Sequence, residues 1–177
     1  MFLHPDKVIR QFKLGEGMHV ADLGVGTGVQ ALAALKAVGE SGSVYAIDVQ
    51  KDLLSKVKKE AEAEGFKNLH VIWSDLESEH ATTLANGFLD AVIVSNVLFQ
   101  IEARDRFMKE VVRILRPGGK VLIVDWTDSF GGMGPHTDAV FGKNSARTLA
   151  EQNGLVFEQD VDAGSHHYGM ICRKPRT

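Results

Sequence analysis

The sequence has 177 residues, 44% of them hydrophobic and 24% charged, with a formal net charge of −3. These values fit one soluble globular domain, which we expect to span residues 1–177 with 1–17 as a short N-terminal cap segment. The small negative charge disfavours a nucleic-acid binder that relies on a broad basic surface. The single cysteine, Cys172, excludes an internal disulfide and a cysteine-based metal site.

Neither a membrane span nor a signal peptide is visible in the sequence. The N-terminal sequence MFLHPDKVIRQF carries early charges and lacks the apolar stretch of a signal peptide. The longest apolar runs, such as 91–94 and 121–124, are too short to cross a bilayer. We therefore expect a cytoplasmic protein without membrane association.

Short apolar runs alternate with amphipathic stretches along the chain, which is typical of βαβ units. The predicted strands are 19–23, 43–48, 68–73, 89–95, 120–126, 155–161 and 167–173. The predicted helices are 29–38, 50–64, 104–115 and 145–153. The turn 116–119, Arg-Pro-Gly-Gly, is expected to end the third of these helices, and a glycine-rich loop, 129–134, follows the fifth strand.

This order of elements predicts a mainly parallel sheet with helices on both faces. Only residues 162–166 separate the last two strands, which leaves no room for a helix between them. We therefore expect these two strands to pair antiparallel as a hairpin.

The most informative motif runs from Val20 to Gly28, where a strand leads into glycines and then into a helix. Such a junction lets a ligand approach the backbone at the carboxyl edge of an open α/β sheet. The spacing is G-x-G-x-G, whereas a dinucleotide-binding fingerprint would place glycine or alanine at position 29, which is Val29. A nicotinamide-dependent dehydrogenase is therefore the disfavoured alternative.

Two aspartates follow the next strands. Asp48 ends the second strand, where a carboxylate can accept hydrogen bonds from ribose hydroxyls and repel a 2′-phosphate. Asp75 follows the third strand, within reach of a purine amino group. Each feature alone also fits a tight turn or a helix cap. Their occurrence together and in register favours a nucleoside-containing ligand.

With these motifs the chain resembles the class I S-adenosylmethionine-dependent methyltransferases, and more closely their small UbiE-like or generic methyltransferase-domain group. DLGVGTG, YAIDVQ and WSDLES are similar to the family's glycine-rich, ribose-side and adenine-side motifs. LDAVIVSNVLFQI and VVRILRPGGKVLIVDW are similar to its fourth-strand and fifth-strand motifs. The resemblance runs from about His4 to Lys174. It implies a Rossmann-like three-layer α/β sandwich whose seven-stranded sheet has the order 3-2-1-4-5-7-6, with the last strand antiparallel.

The resemblance also implies S-adenosylmethionine as the cofactor and S-adenosylhomocysteine as its product. The cofactor-contacting positions that it implies are Asp22, Gly24, Gly26, Gly28, Asp48, Val49, Gln50, Asp75, Leu76, Ser95 and Asn96. The first four surround the methionine part, with the aspartate ordering the loop. The next five hold the ribose and adenine, and the last two lie near the methyl group.

Methyl transfer from a sulfonium is an in-line displacement that depends mainly on alignment, and a base is needed only when the acceptor loses a proton. Candidate bases are His136, in the loop after the fifth strand, and His166 and His167, at the last hairpin. The alternative is that all three are surface-loop histidines. The spacing of these histidines does not by itself support a metal site, and Asp125 with Asp128 is weak evidence for a carboxylate site, so no metal is expected.

The sequence does not identify the methyl acceptor. After the fourth strand, 95–99 lacks the Asn/Asp-Pro-Pro-Tyr/Phe motif of family members that act on planar nitrogens, and one cysteine disfavours an arsenite methyltransferase. Among the candidate methyl acceptors, a small molecule is favoured. A protein or RNA acceptor, and a non-catalytic member that binds the cofactor, are the alternatives.

Few residues of the sequence are available to cover the substrate side of the site. About seventeen residues precede the first strand, and 128–143 is the one sizeable loop. Residues 1–5, with Phe2 and His4, are candidates to fold over the cofactor mouth. A homodimer in which a second subunit supplies the cover is left open.

Overall fold

The computed structural model describes residues 4–177, which form seven strands and five α-helices around one sheet. The strands are β1 (His19–Leu23), β2 (Ser43–Asp48), β3 (Leu69–Trp73), β4 (Leu89–Ser95), β5 (Leu115–Trp126), β6 (Val156–Val161) and β7 (His167–Arg173). The helices are α1 (Pro5–Phe12), α2 (Val29–Val38), α3 (Lys51–Ala63), α4 (Arg104–Ile114) and α5 (Lys143–Gln152), with a short 3₁₀ turn at Thr137–Ala139. No helix among these residues is long and apolar enough to span a bilayer.

The sheet has the order β3-β2-β1-β4-β5-β7-β6, as predicted. All neighbouring strands are parallel except β7, which runs antiparallel to both β5 and β6. Leu23 at the end of β1 pairs with Ile47 of β2 and with Val94 of β4. The carboxyl ends of these three central strands therefore meet at one edge of the sheet.

Helices cover the sheet on both faces, so that alternate residues of the central strands are buried in two different cores. Val20 of β1 packs into the core shared with α1, α2 and α3. Its neighbours Ala21 and Leu23 face the opposite core, which includes Phe107 of α4 and Leu149 of α5. Burial on both faces explains why strands such as β4 are almost continuously apolar.

The first helix, α1, is an element that the sequence interpretation treated only as a cap segment. Pro5 stands at its first turn, where the missing N–H costs nothing. Val8, Ile9 and Phe12 recur at helical spacing and are buried, and Lys13 ends the helix with a φ of 53°. These signals were present in the sequence and define a short amphipathic helix.

The N-terminal side of α1 lies at the carboxyl edge of the sheet. The Nζ of Lys7 is 2.6 Å from the Asp162 carboxylate, and the Gln11 amide donates to the Asp162 carbonyl. Asp162 begins the β6–β7 turn, so α1 is attached to this turn while it packs on α2. Residues 1–3 of the predicted cover lie outside the described residues, and His4 is exposed just before α1.

The fifth strand begins earlier than predicted. The Arg-Pro-Gly-Gly turn does not precede a new strand, because β5 pairs with β4 on both sides of it. Leu89 pairs with Leu115 and Ala91 with Lys120, which makes the intervening residues a bulge. Between β3 and β4, where no helix was predicted, residues 74–88 form turns.

Candidate functional site

A cleft of about 450 Å³ opens at the carboxyl edge of β1, β2, β3 and β4, beside the first turn of α2. Small-molecule sites commonly have this size, and open α/β sheets bind ligands at this edge. Ten of the eleven predicted cofactor positions line the cleft: Asp22, Gly24, Gly26, Asp48, Val49, Gln50, Asp75, Leu76, Ser95 and Asn96. The folded chain thus brings residues from four strands into one site.

The three glycines of the G-x-G-x-G loop have different physical roles. A Cβ on Gly24 would lie 2.6 Å from Val97, and one on Gly28 would lie 2.4 Å from Val57 of α3. A Cβ on Gly26 would meet only a backbone oxygen, at 4.0 Å, beside the open cleft. Gly26 therefore keeps space for a ligand, whereas Gly28, which does not line the cleft, lets α2 approach α3.

Asp48 connects the glycine loop to the second strand. Its Oδ2 accepts the N–H of Gly26 at 3.0 Å, and its Oδ1 accepts the N–H of Gln50 at 2.9 Å. Each carboxylate oxygen keeps a second lone pair for a ligand donor. Asp48 can therefore fix the loop and accept hydrogen bonds from vicinal hydroxyls at the same time.

Asp22, at the end of β1, is buried beneath the loop. The N–H of Ala31 in α2 donates to its carboxyl group, while Oδ2 has no hydrogen-bond partner among residues 4–177. Burial, with the neighbouring negative charge of Asp48, raises the pKa of Asp22 to about 8. A cation in the cleft would favour its ionised form.

Two further side chains in the cleft carry unpaired polar atoms. Gln30, in the first turn of α2, is 4% exposed, and within the described chain neither its Nε2 nor its Oε1 has a partner. The buried Oδ1 of Asn96 is also unpaired among these residues. The sequence interpretation did not identify Gln30, although a glutamine on the buried side of the helix VQALAALKAV was the available signal.

Asn96 also has an unusual backbone conformation. Its φ is 58°, in the left-handed region that residues other than glycine seldom adopt. The strain is held from both sides, because its N–H donates to Val124 of β5 and its carbonyl accepts from Gln100. Such strain recurs at functional sites, where the surrounding structure fixes it.

One wall of the cleft is formed by residues at the ends of β2 and β3. The Trp73 indole donates to the Val49 carbonyl at 2.9 Å, and the Lys51 ammonium lies 3.8 Å from the indole centroid. The side chain of Asp75 accepts the N–H of Glu77, which fixes the turn that follows β3. Val49 is 58% exposed and offers an apolar surface at the mouth of the cleft.

The turn segment 74–88 is held against α4 by charged side chains. The Glu77 carboxylate accepts the N–H groups of Glu102 and Ala103 at 2.8 and 2.9 Å, just before α4 begins. Burial tends to raise the pKa of Glu110, but hydrogen bonds from Arg113 and Thr82 outweigh it and hold the pKa at about 2.

The histidines proposed as bases lie away from the cleft. His136 precedes the 3₁₀ turn and is exposed, and His166 has its Nδ1 3.0 Å from Asp128. His167 is 8% exposed and packs against Trp126 with ring centroids 4.2 Å apart. Among residues 4–177 neither ring nitrogen of His167 has a partner, and burial lowers its pKa. A catalytic role for any of the three stays a prediction.

The carboxylates proposed as a weak pair are also engaged elsewhere. Asp125 is fully buried and accepts the N–H groups of Trp126 and Phe99, while burial raises its pKa to about 6. Asp128 pairs with His166. Within residues 4–177, no three or more His, Cys, Asp or Glu side chains are grouped so as to hold a metal ion.

The geometry fits S-adenosylmethionine in three respects. Asp48 presents acceptor lone pairs to a ribose, and the open space at Gly26 admits a ligand close to the backbone. The unpaired polar atoms of Asp22, Gln30 and Asn96 are buried groups that a polar ligand would satisfy.

Comparisons with known proteins agree with this geometry. The family model described as "Methyltransferase domain" matches residues 14–164. The chain is 31% identical over 135 residues to an arsenite methyltransferase of Aquipseudomonas alcaligenes, covering 70% of this chain and 39% of that protein. It is 30% identical over 152 residues to the ubiquinone/menaquinone biosynthesis C-methyltransferase UbiE of Laribacter hongkongensis, covering 86% and 58%.

The structural comparison extends over nearly the whole chain. A crystal structure of a SAM-dependent methyltransferase from Aquifex aeolicus superposes with a TM-score of 0.87 and 28% identity, covering 97% of this chain and 90% of that one. The chain spans only about two fifths to three fifths of the length of the two curated relatives. From the family match, the sheet order and the cleft, we conclude that this chain belongs to the class I S-adenosylmethionine-dependent methyltransferase family.

Proposed function

We propose that the chain binds S-adenosylmethionine in this cleft and transfers its methyl group to a small-molecule acceptor. The observation that carries the proposal is that Asp22, Gln30 and Asn96, which each carry unpaired buried polar atoms, line the same cleft as Gly26 and Asp48. Together these groups match a nucleoside with a polar, charged extension.

The bound cofactor would supply an activated methyl group on a sulfonium sulfur. The chain's contribution is alignment: Asp48 holds the ribose, the glycine loop receives the methionine part, and Ser95 with Asn96 borders the methyl side. Because Asn96 is held in a strained conformation from both sides, this border is rigid. Alignment is the main requirement for an in-line displacement.

A small molecule is the favoured acceptor because the net charge is slightly negative and the two relatives are named for acting on small molecules. Those two names differ in their acceptor, so neither acceptor is assigned. Arsenite is disfavoured, since Cys172 is buried and burial raises the pKa of its thiol to about 11.

The proposal is tested by measuring S-adenosylhomocysteine formation from S-adenosylmethionine in the presence of cell extract. The extract is divided by size into a small-molecule fraction and a macromolecular fraction, each tested alone. We expect product with the small-molecule fraction and none with Gly26→Val. Product only with the macromolecular fraction would contradict the acceptor class, and tight binding without product would favour a non-catalytic member.

A further inference from the structure

The segment 95–101, at the end of β4 and after it, forms a second wall of the cleft. Its cleft-lining residues are Ser95, Asn96, Val97, Gln100 and Ile101. The two residues between them, Leu98 and Phe99, lie outside the lining of the cleft. Because the segment includes the strained backbone of Asn96, its shape depends on contacts with the rest of the fold.

Asp125, the residue before the last of β5, supports this segment from outside the cleft. It is fully buried, its Oδ2 accepts the N–H of Phe99 at 3.4 Å, and its Oδ1 accepts the N–H of Trp126 at 2.8 Å. Burial raises the pKa of Asp125 to about 6, while hydrogen bonds from the N–H groups of Trp126, Phe99 and Leu98 favour its ionised form. Two of these three donors belong to the segment 95–101, so the compensation for burying this carboxylate comes largely from the cleft wall.

Arg104, the first residue of α4, holds the carbonyl groups of the same two residues. Its Nε donates to the carbonyl of Leu98 at 2.8 Å, and its Nη2 donates to the carbonyl of Phe99 at 3.5 Å. The guanidinium carbon lies 4.4 Å from the ring centroid of Phe141, which restricts where the guanidinium can lie. A carboxylate and a guanidinium therefore hold the donors and the acceptors of one turn, and both contacts are made by residues outside the lining of the cleft.

We propose that Asp125 is a positioning residue for cofactor binding, which holds the segment 95–101 in the shape of the cleft wall by accepting the N–H groups of Leu98 and Phe99. The inference rests on the proposed function, which places the cofactor in this cleft with Ser95 and Asn96 beside its methyl group. Asp125 touches no ligand in this role and acts through the backbone of the segment. A carboxylate that the sequence suggested only as weak evidence for a metal site thereby has a different function.

The test uses Asp125→Asn, which keeps the size of the side chain and replaces one acceptor oxygen by an NH₂ group that cannot accept an N–H. In the free variant, hydrogen–deuterium exchange read by mass spectrometry should be about 10-fold faster or more in peptides that cover 95–101, because a backbone N–H loses its charged acceptor. The affinity for S-adenosylhomocysteine, measured by isothermal titration calorimetry, should fall about 10-fold, because the binding-competent shape of the wall is populated less.

Glu110→Gln is the matched control, because it also removes the charge of a buried carboxylate, whose contacts are with Arg113 and Thr82. Both variants should have a lower Tm. In Glu110→Gln the exchange at 95–101 and the affinity for S-adenosylhomocysteine should stay within about threefold of the unaltered protein, a change of well under one hydrogen bond to a charged group. Arg104→Gln loosens the same turn from its carbonyl side at a partly exposed position, so it should shift both readouts in the direction of Asp125→Asn and replaces that variant if it does not fold.

Three results would overturn the positioning role. Unchanged exchange at 95–101 in Asp125→Asn would mean that the carboxylate does not hold the segment, and faster exchange with normal affinity would mean that the shape of the segment does not matter for binding. Equal effects of Glu110→Gln on both readouts would show a general loss of stability. If the unaltered protein did not bind S-adenosylhomocysteine, the proposed function itself would fail, and this outcome is distinguishable because it is seen without any variant.

Discussion

Replacing Asp22 by asparagine should change how the stability of the free protein depends on pH. Asp22 is 2% exposed, and its pKa is raised from 3.8 to about 8 by burial and by Asp48. Between these values the folded chain keeps a proton that the unfolded chain releases. The contribution of protonated Asp22 to the free energy of unfolding is therefore fully present below about pH 4 and is lost progressively as the pH rises to about 8.

The magnitude follows from linkage. Each pH unit inside this window costs the folded state about 1.4 kcal/mol, so the loss between pH 5.5 and 7.5 is about 2.7 kcal/mol. Asparagine has nearly the same shape, stays neutral, and can still accept the N–H of Ala31. Relative to the unaltered protein, Asp22→Asn should therefore gain roughly 5–10 °C in Tm over this interval.

The assay is a series of thermal melts of both free proteins at matched ionic strength across that interval. Burial also raises the pKa of Asp125 to about 6 and lowers the pKa of His167, but both groups are common to the two proteins and cancel in the difference. Parallel Tm curves for the two proteins would refute the reasoning, because they would mean that Asp22 is already ionised in the folded chain.

The other predictions concern the glycine loop, the Asp48 carboxylate that is proposed to hold the ribose, and the contacts of α4. Asp48→Ala removes an acceptor and releases the Gly26 N–H, so cofactor binding measured by calorimetry should weaken by about 2–4 kcal/mol; an affinity within about threefold of normal would contradict the ribose assignment. Gly26→Val should abolish binding, and Gly28→Val should lower the Tm more than Gly26→Val, because both glycines have a positive φ that strains valine but only a Cβ on Gly28 also collides with α3; the reverse pattern would refute the division of roles. Glu110→Gln should destabilise by about 1–3 kcal/mol in urea unfolding, because the carboxylate whose pKa is about 2 loses its charge beside Arg113; unchanged stability would mean that the contact contributes nothing.

The central sheet was predictable because its signals are local and repeated. The limits of β1, α2, β2, β4 and β7 agree with the predicted ones, since each apolar run is bounded by glycine or polar residues. The order 3-2-1-4-5-7-6 was implied by the family resemblance, and the final hairpin also followed from a five-residue connection. The bulge at 116–119 was not predictable, because only pairing across two strands distinguishes it from a turn.

The site was predictable to the extent that its residues occur in motifs. Ten predicted positions meet in one cleft, but the distinction between Gly26 and Gly28 depends on what lies opposite each glycine, which the sequence does not state. Gln30 was missed for a related reason. Its side chain is significant only because it is buried and unpaired, and those are properties of the packed molecule.

The most direct test of cofactor binding is a thermal-shift titration of the unaltered protein with S-adenosylmethionine, S-adenosylhomocysteine, NAD and NADP. A ligand at 100 times its Kd stabilises by about 2.7 kcal/mol, which corresponds here to a rise of roughly 5–10 °C in Tm. We expect this rise with the two sulfur nucleosides and none with the two dinucleotides. A shift with NAD alone, or with none of the four, would contradict the cofactor assignment and leave only the α/β fold and the family membership.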